Sequence, residues 1–317
     1  MDTVLAVAAV LVGLVVLEAG AERFTGAIAG LARRLRASEG TVGLLTAGGE
    51  WEELVVVVLA VVSGHPGVAV GNVVGACLAN LIGSMPLGMV ARQPLRPDRS
   101  ARIYGYVMLA VTVLAAALAI DGRVTPAAGG VLVGVFVVYV ASVLLVIQRG
   151  WLRPPAEEDD DDEPTTGSAV RIVVTLALSL AVIAVAAEAI VLGAVHIAHQ
   201  AGLSEYAIGA TVVAIGTTLP DKAISFVGGM RGQSGVVTSN ALGSNIFILT
   251  LVLGLAALSS SSGVAVAHSV TRVDLPLLLA ASVLVVALFH RRSLHWRTGL
   301  ALLTLYAGYI TFALVRG

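Results

Sequence analysis

Residues 44–82, LLTAGGEWEELVVVVLAVVSGHPGVAVGNVVGACLANLI, align without a gap on residues 212–250, VVAIGTTLPDKAISFVGGMRGQSGVVTSNALGSNIFILT, at an offset of 168. Gly48, Gly64, Gly67, Val68, Asn72 and Gly75 fall on Gly216, Gly232, Gly235, Val236, Asn240 and Gly243. Glu53 falls on Asp221, an acid on an acid. The chain is therefore duplicated, and the duplication keeps glycines, an amide and a carboxylate inside apolar segments.

Composition bounds the class. The chain has 317 residues, 57% of them apolar and 12% charged, and a mean hydropathy of +0.95. Charge that sparse cannot coat a soluble globule of this length, whereas a polytopic helical membrane protein needs little more. A net charge of -1 gives no reason to expect nucleic-acid binding. The single cysteine, Cys77, excludes an intrachain disulfide framework and a cysteine-based zinc cluster. The opening MDTVLAVAAV has no basic flank and reads as a first transmembrane helix, not a cleaved signal. In such a setting a duplication of this kind points to a secondary transporter, whose two halves build one midplane site from interrupted helices.

Apolar runs long enough to span lie near 3–31, 41–63, 67–90, 102–120, 126–148, 169–198, 205–229, 235–258, 273–290 and 297–315. The expected fold is an all-α polytopic membrane protein of about ten transmembrane helices. A first five-helix half covers 1–148, with its repeat at about 41–90. A linker covers 149–168, and the second half covers 169–317, with its repeat at about 205–258. The linker carries seven consecutive acids, Glu157 to Glu163, and reads as a solvated connector before it reads as a calcium sensor. Arginines orient the chain: loops on one face hold Arg33, Arg34, Arg36, Arg92, Arg96, Arg99, Arg102, Arg149, Arg153, Arg171, Arg231, Arg291, Arg292 and Arg297. The other face holds Arg123, Arg272 and Arg316, which is 14 against 3. The positive-inside rule puts the larger set and the linker in the cytoplasm and both termini outside. Five is odd, so the halves enter the membrane in opposite senses, as inverted repeats.

Ionisable side chains in a span cost about 2.5–3.5 kcal/mol each on insertion scales and mark function. The candidates are Glu18, Glu22, Glu50, Glu52, Glu53, Glu188, Asp221 and Lys222. Glu50 and Glu53 are three apart and share a helix face, which Glu52 leaves. Thr218 and Asp221 repeat the spacing. Pro220 frees a carbonyl one turn earlier, and Gly48, Gly49 and Gly216 loosen the same region. Carboxylates beside freed carbonyls make a hard-cation site. On the next helix of each repeat, Asn72 and Asn80 lie on one face, and Asn240 and Asn245 are flanked by Ser239 and Ser244; these polar groups serve ligation or helix packing. Lys222 is adjacent to Asp221 and does not face it, so it is expected to snorkel or to meet Glu188 or Glu22. Glu22 and Glu188 occupy like places in the two halves, as gating carboxylates on the pathway or as interfacial acids. Asp274 reads as a first-turn acid favoured by the helix dipole, and the histidines as surface residues.

At these residues the chain resembles the sodium/calcium exchanger family of the cation/calcium antiporter superfamily. AIGTTLPD at 214–221 is similar to the family's second repeat motif and SNALGSNIF at 239–247 to its partner; GGEWEE at 48–53 with GNVVGACLAN at 71–80 is a weaker match. The resemblance implies ten helices with the site between the second, third, seventh and eighth. Carried over by position, it places the paired metal-binding carboxylates on Glu53 and Asp221, hydroxyl and carbonyl ligands on Thr217, Thr218 and Ser244, and the amide ligand on Asn80. Four departures stand out: Gly49-Glu50 replaces a Thr-Ser pair, Ala76 a serine, Glu52 a proline, and Ile248 an acid or amide.

The expected function is a secondary antiporter that exchanges calcium for sodium or protons by alternating access. No cofactor is expected beyond the transported ions; the expected partners are the lipid bilayer and small inorganic cations, not nucleic acid, and the sequence leaves the oligomeric state open. Glu50, Glu53 and Asp221 crowd three negative charges, which disfavours simultaneous ionisation and points to proton coupling at least as readily as sodium coupling. A sodium/proton or other monovalent exchanger is the alternative. A transport-inactive structural or regulatory protein is another, against which the retained Glu53 and Asp221 argue. No nucleotide, G-x-S-x-G or H-E-x-x-H motif suggests an enzyme. The Ala-, Val- and Arg-rich composition points to a bacterial plasma membrane.

Overall fold

The computed structural model describes residues 2–34, 49–91, 93–149 and 169–316. Helices α1 (Thr3–Arg34), α2 (Trp51–Val62), α3 (Pro66–Val90), α4 (Arg99–Ala119) and α5 (Pro126–Gln148) come first. They are followed by α6 (Ala169–Ala201), α7 (Glu205–Thr217), α8 (Leu219–Met230), α9 (Ser234–Leu258), α10 (Val270–Leu288) and α11 (Trp296–Arg316). Eight of these, all but α2, α7 and α8, are long and apolar enough to cross a bilayer. The protein is a multi-pass membrane protein.

Local sequence fixes the helix starts. Pro66 opens α3 in its first turn, where the missing N–H costs nothing. Asp98 caps α4 by accepting from Ala101 N at 2.7 Å, and Ser204 caps α7 by accepting from Ala207 N at 3.1 Å. Two expected segments differ from the structure. The span expected over 41–63 is helical from Trp51 on, its residues 41–48 lying outside the described part. The span expected over 205–229 is broken at Thr218, where Pro220 starts a new helix. The acidic run Glu157 to Glu163 also lies outside the described residues.

The sequence offset recurs in the element bounds. Shifted by 168, Trp51–Val62 becomes the span Leu219–Met230, and Pro66–Val90 becomes Ser234–Leu258. The turns between them match too: Gly64 and Gly232 have φ of 84° and 73°, a left-handed conformation that glycine adopts without strain. His65 N and Gln233 N then close the turns on Ala60 O and Gly228 O, at 2.7 and 2.8 Å. Each long helix then loosens into a π-turn, Ala79–Ser84 in α3 and Ile248–Val252 in α9. Such turns are frequent at functional sites.

Burial separates centre from rim. In α3 and α9, 89% and 78% of the apolar window is buried, against 17–44% in the other spanning helices. The rim helices turn Val4, Leu5, Val15, Val170 and Val185 outward, as a lipid-facing surface requires. Small residues bring α3 and α7 into backbone contact: a Cβ at Gly71 would overlap Tyr206 O, and one at Gly75 would overlap Ala210 O. Gly75→Val is therefore expected to destabilise by about 1–3 kcal/mol, because two backbones must part. A thermal scan of the detergent-purified protein monitored by size-exclusion would read the loss.

Short contacts tie the loops. Arg123–Val124, after α4, pairs antiparallel with Val264–Ala265, after α9. Leu95 and Leu294 bridge the segments before α4 and α11. His65 Nδ1 meets Glu205 Oε1 at 2.8 Å, so this histidine is a half-buried partner of α7 and not a free surface group. Asp274 also departs from expectation. Because α10 begins at Val270, Asp274 sits beyond the first turn, and its buried carboxylate is paired with Arg316 of α11.

Candidate cation site

The site is built where α2 and α8 begin. Glu50, at the start of α2, has φ -75° and ψ 64°, and Thr218, its repeat mate, has φ -89° and ψ 14°. Both stand outside the helical run, so helix-end groups are available to ligands there. Glu50, Glu52 and Glu53 gather so that one carboxylate oxygen of each lies within 4.8 Å of the others. The expectation that Glu52 points elsewhere is corrected. It rested on a helical angle between positions 50 and 52, and Glu50 is not in the helix. Glu50 also packs against the side chains of Ser244 and Asp221, from α9 and α8. Trp51 seals this corner with edge-on contacts to Phe24 and Phe247, at 5.7 and 5.4 Å between centroids.

Glu53 is 0% exposed, and among the described residues neither of its carboxylate oxygens has a hydrogen-bond partner. The same holds for Asp221 Oδ2, Ser244 Oγ, and both amide atoms of Asn80, in the π-turn of α3 that packs against α8 and α9. Burying a polar atom unpaired costs about 1–3 kcal/mol, more for a charged one. Carboxylate, hydroxyl and amide oxygens left without protein donors are the donor set of a hard cation.

The remaining candidates are engaged in different ways. Asn240 Nδ2 donates to Asp221 Oδ1 at 2.8 Å, orienting that carboxylate. Thr217 Oγ1 lies 3.4 Å from Asn72 Oδ1 and 3.2 Å from Val213 O, bridging α7 and α3. Asn245 Nδ2 donates to Cys77 O at 3.1 Å; these two are repeat mates, so the repeats touch at equivalent positions. Thr218 Oγ1 donates to Ala214 O at 2.6 Å and accepts from Lys222 Nζ. Lys222 thus turns back to the helix break and not to Glu188 or Glu22. Those two acids are exposed on α6 and α1. Asn240→Ala is expected to weaken apparent cation affinity about 10–100-fold with maximal flux less affected, since ligand-orienting partners carry losses of that size. The cation dependence of flux in proteoliposomes checks it.

Glu52 and Lys222 are the residues that sequence reasoning kept out of the site. Glu52 stands where the second repeat has Pro220, and the break that such a proline signals was the available clue.

Buried carboxylates gathered at two helix starts inside an apolar bundle are costly and are characteristic of membrane transporters of cations. The sodium/calcium exchanger protein family matches residues 5–145 and 171–315, and the chain belongs to that family. It is 34% identical over 257 residues to a protein of Alkalimonas amylolytica with the provisional name antiporter CaxA, covering 77% of this chain and 78% of the relative. It is 26% identical over 314 residues to the inner membrane protein YrbG of Escherichia coli K12, covering 97% and 95%. The fold matches a solved structure of the sodium-calcium exchanger NCX_Mj soaked with Na+ and Sr2+. That match has a TM-score of 0.63 at 27% identity and covers 98% of this chain and 99% of the other. The family is one of transporters, not enzymes.

Proposed function

We propose that this protein exchanges calcium for sodium or protons by alternating access, with Glu53 and Asp221 as the paired cation ligands. The carrying observation is the set of unpartnered buried oxygens on Glu53, Asp221 and Ser244. In this reading Asn80 and Glu50 complete the set, with Thr217 lining it from the end of α7 and Thr218 from the break. Asn72, Asn240 and Asn245 position and pack the helices. Glu22 and Glu188 are pathway candidates through their matching places in the two halves.

We further infer ten transmembrane segments, in which α7 and α8 form one broken span and α2 is the second half of another. The two five-helix halves, 1–148 and 169–317, are then inverted, with the termini outside and the 149–168 linker cytoplasmic. Support comes from the loop contacts. His65 with Glu205, and Val124 with Val264, join loops assigned to the outer face. Leu95 with Leu294, and Arg96 N with Ser234 Oγ at 3.0 Å, join loops assigned to the inner face.

One observation favours a second reading, a sodium/proton or other monovalent exchanger. Ile248 is 0% exposed where the resemblance implies an acid or amide, which leaves one ligand fewer for a divalent ion. Calcium self-exchange separates the readings without assuming a coupling ion. Proteoliposomes loaded with radiolabelled calcium are expected to release it faster when unlabelled calcium is outside. Release indifferent to external calcium would speak for a channel or for a carrier of other ions.

A further inference from the structure

The break at Thr218 already holds a cation. Lys222 Nζ lies 3.3 Å from Ile215 O and 3.2 Å from Thr218 O, and it also bonds Thr218 Oγ1. Thr218 Oγ1 spends its own hydrogen on Ala214 O, so its lone pairs are free for the ammonium. Three uncharged oxygens meet the three donors of the ammonium. One, Ile215 O, lies in the last turn of α7, where the helix dipole favours positive charge; Thr218 O sits at the break itself. Carbonyl and hydroxyl oxygens at a broken helix are also the donors that a bare alkali cation takes in transporters. The side chain does not behave as a snorkelling lysine, whose head would leave for water; its head is turned to the break.

The repeat makes this one-sided. At the offset of 168, Lys222 falls on Leu54 and Thr218 falls on Glu50. The first half thus gains an acid at its break, and the second half gains a base. We propose that the Lys222 ammonium is a tethered cation that holds a monovalent-ion position in the second half, so that the exchanger binds and moves one sodium fewer than the donor atoms allow. The inference rests on the antiporter reading. It adds that residue 222 sets the coupling stoichiometry and the sodium dependence.

Radiolabelled sodium binding and flux would be measured on wild type, Lys222→Met, Lys222→Ala and Lys222→Arg, each confirmed monodisperse. Lys222→Met keeps the apolar stem and guards against loss of packing. Both neutral variants are expected to bind about one more sodium per chain, to show a steeper sodium dependence of calcium flux, and to move about one more positive charge per calcium against a clamped potential. Lys222→Arg is expected to behave as wild type. A purely structural lysine would change expression or thermal stability without moving sodium count or charge. Wild-type sodium count and charge in both neutral variants would overturn the proposal. Failure of wild type to exchange calcium under any gradient would instead overturn the antiporter reading, and the sodium count would still decide the role of Lys222.

Discussion

Glu53→Gln is expected to abolish calcium flux, with a loss of about 100-fold or more, and Asp221→Asn to do the same. Losing a group that merely orients a ligand costs about 10–100-fold in affinity, and a direct carboxylate ligand should cost at least the upper end. Stability should move the other way. Both oxygens of Glu53 are buried without a donor among the described residues, so neutralising the side chain relieves repulsion from Glu50 and Glu52. A variant that is dead in transport yet no less heat-stable than wild type would separate a ligand from a packing residue. Retained flux in either variant would remove the carboxylate pair from the site.

Glu50→Gln is expected to flatten the pH dependence of calcium transport. Calcium binds carboxylates, and any proton they hold must leave first. In wild type the half-saturating calcium concentration should therefore fall as pH rises between about 6 and 8. The slope of its logarithm against pH counts the protons released, and removing one of the clustered acids should lower that slope by up to about one. Half-saturation measured across that range in both proteins checks it. An unchanged slope would mean that Glu50 releases no proton when calcium binds and takes no part in proton coupling.

Much of this was legible in the sequence, for physical reasons that differ by residue. The repeat was visible because a left-handed turn tolerates little but glycine, so Gly64 and Gly232 survived the duplication. The carboxylates were visible because an acid in hydrocarbon has few uses other than function. The break at Thr218 announced itself through Pro220. What could not be read was geometry that depends on where a helix starts. Glu52 was assigned to a different face by counting helical steps from Glu50, but Glu50 lies outside α2 and the count does not apply. Asp274 was read as a first-turn acid, whereas α10 starts earlier and Arg316, 42 residues away, is its partner. Lys222 was judged by what its neighbours on a helix face could reach, yet its long side chain folds back across the break onto Thr218 and onto Ile215 O of the preceding helix. The partnering of Asn240 with Asp221 and of Asn245 with Cys77 likewise depends on packing between helices, which spacing alone does not encode.

The most direct measurement is radiolabelled calcium uptake into proteoliposomes under an outward sodium gradient, and separately under an outward proton gradient, with Glu53→Gln and Asp221→Asn in parallel. Uptake under at least one gradient, lost in both variants, is the predicted result. No uptake under either gradient would contradict calcium antiport and leave a monovalent cation exchanger, with Ile248 and Gly49 as the first positions to examine.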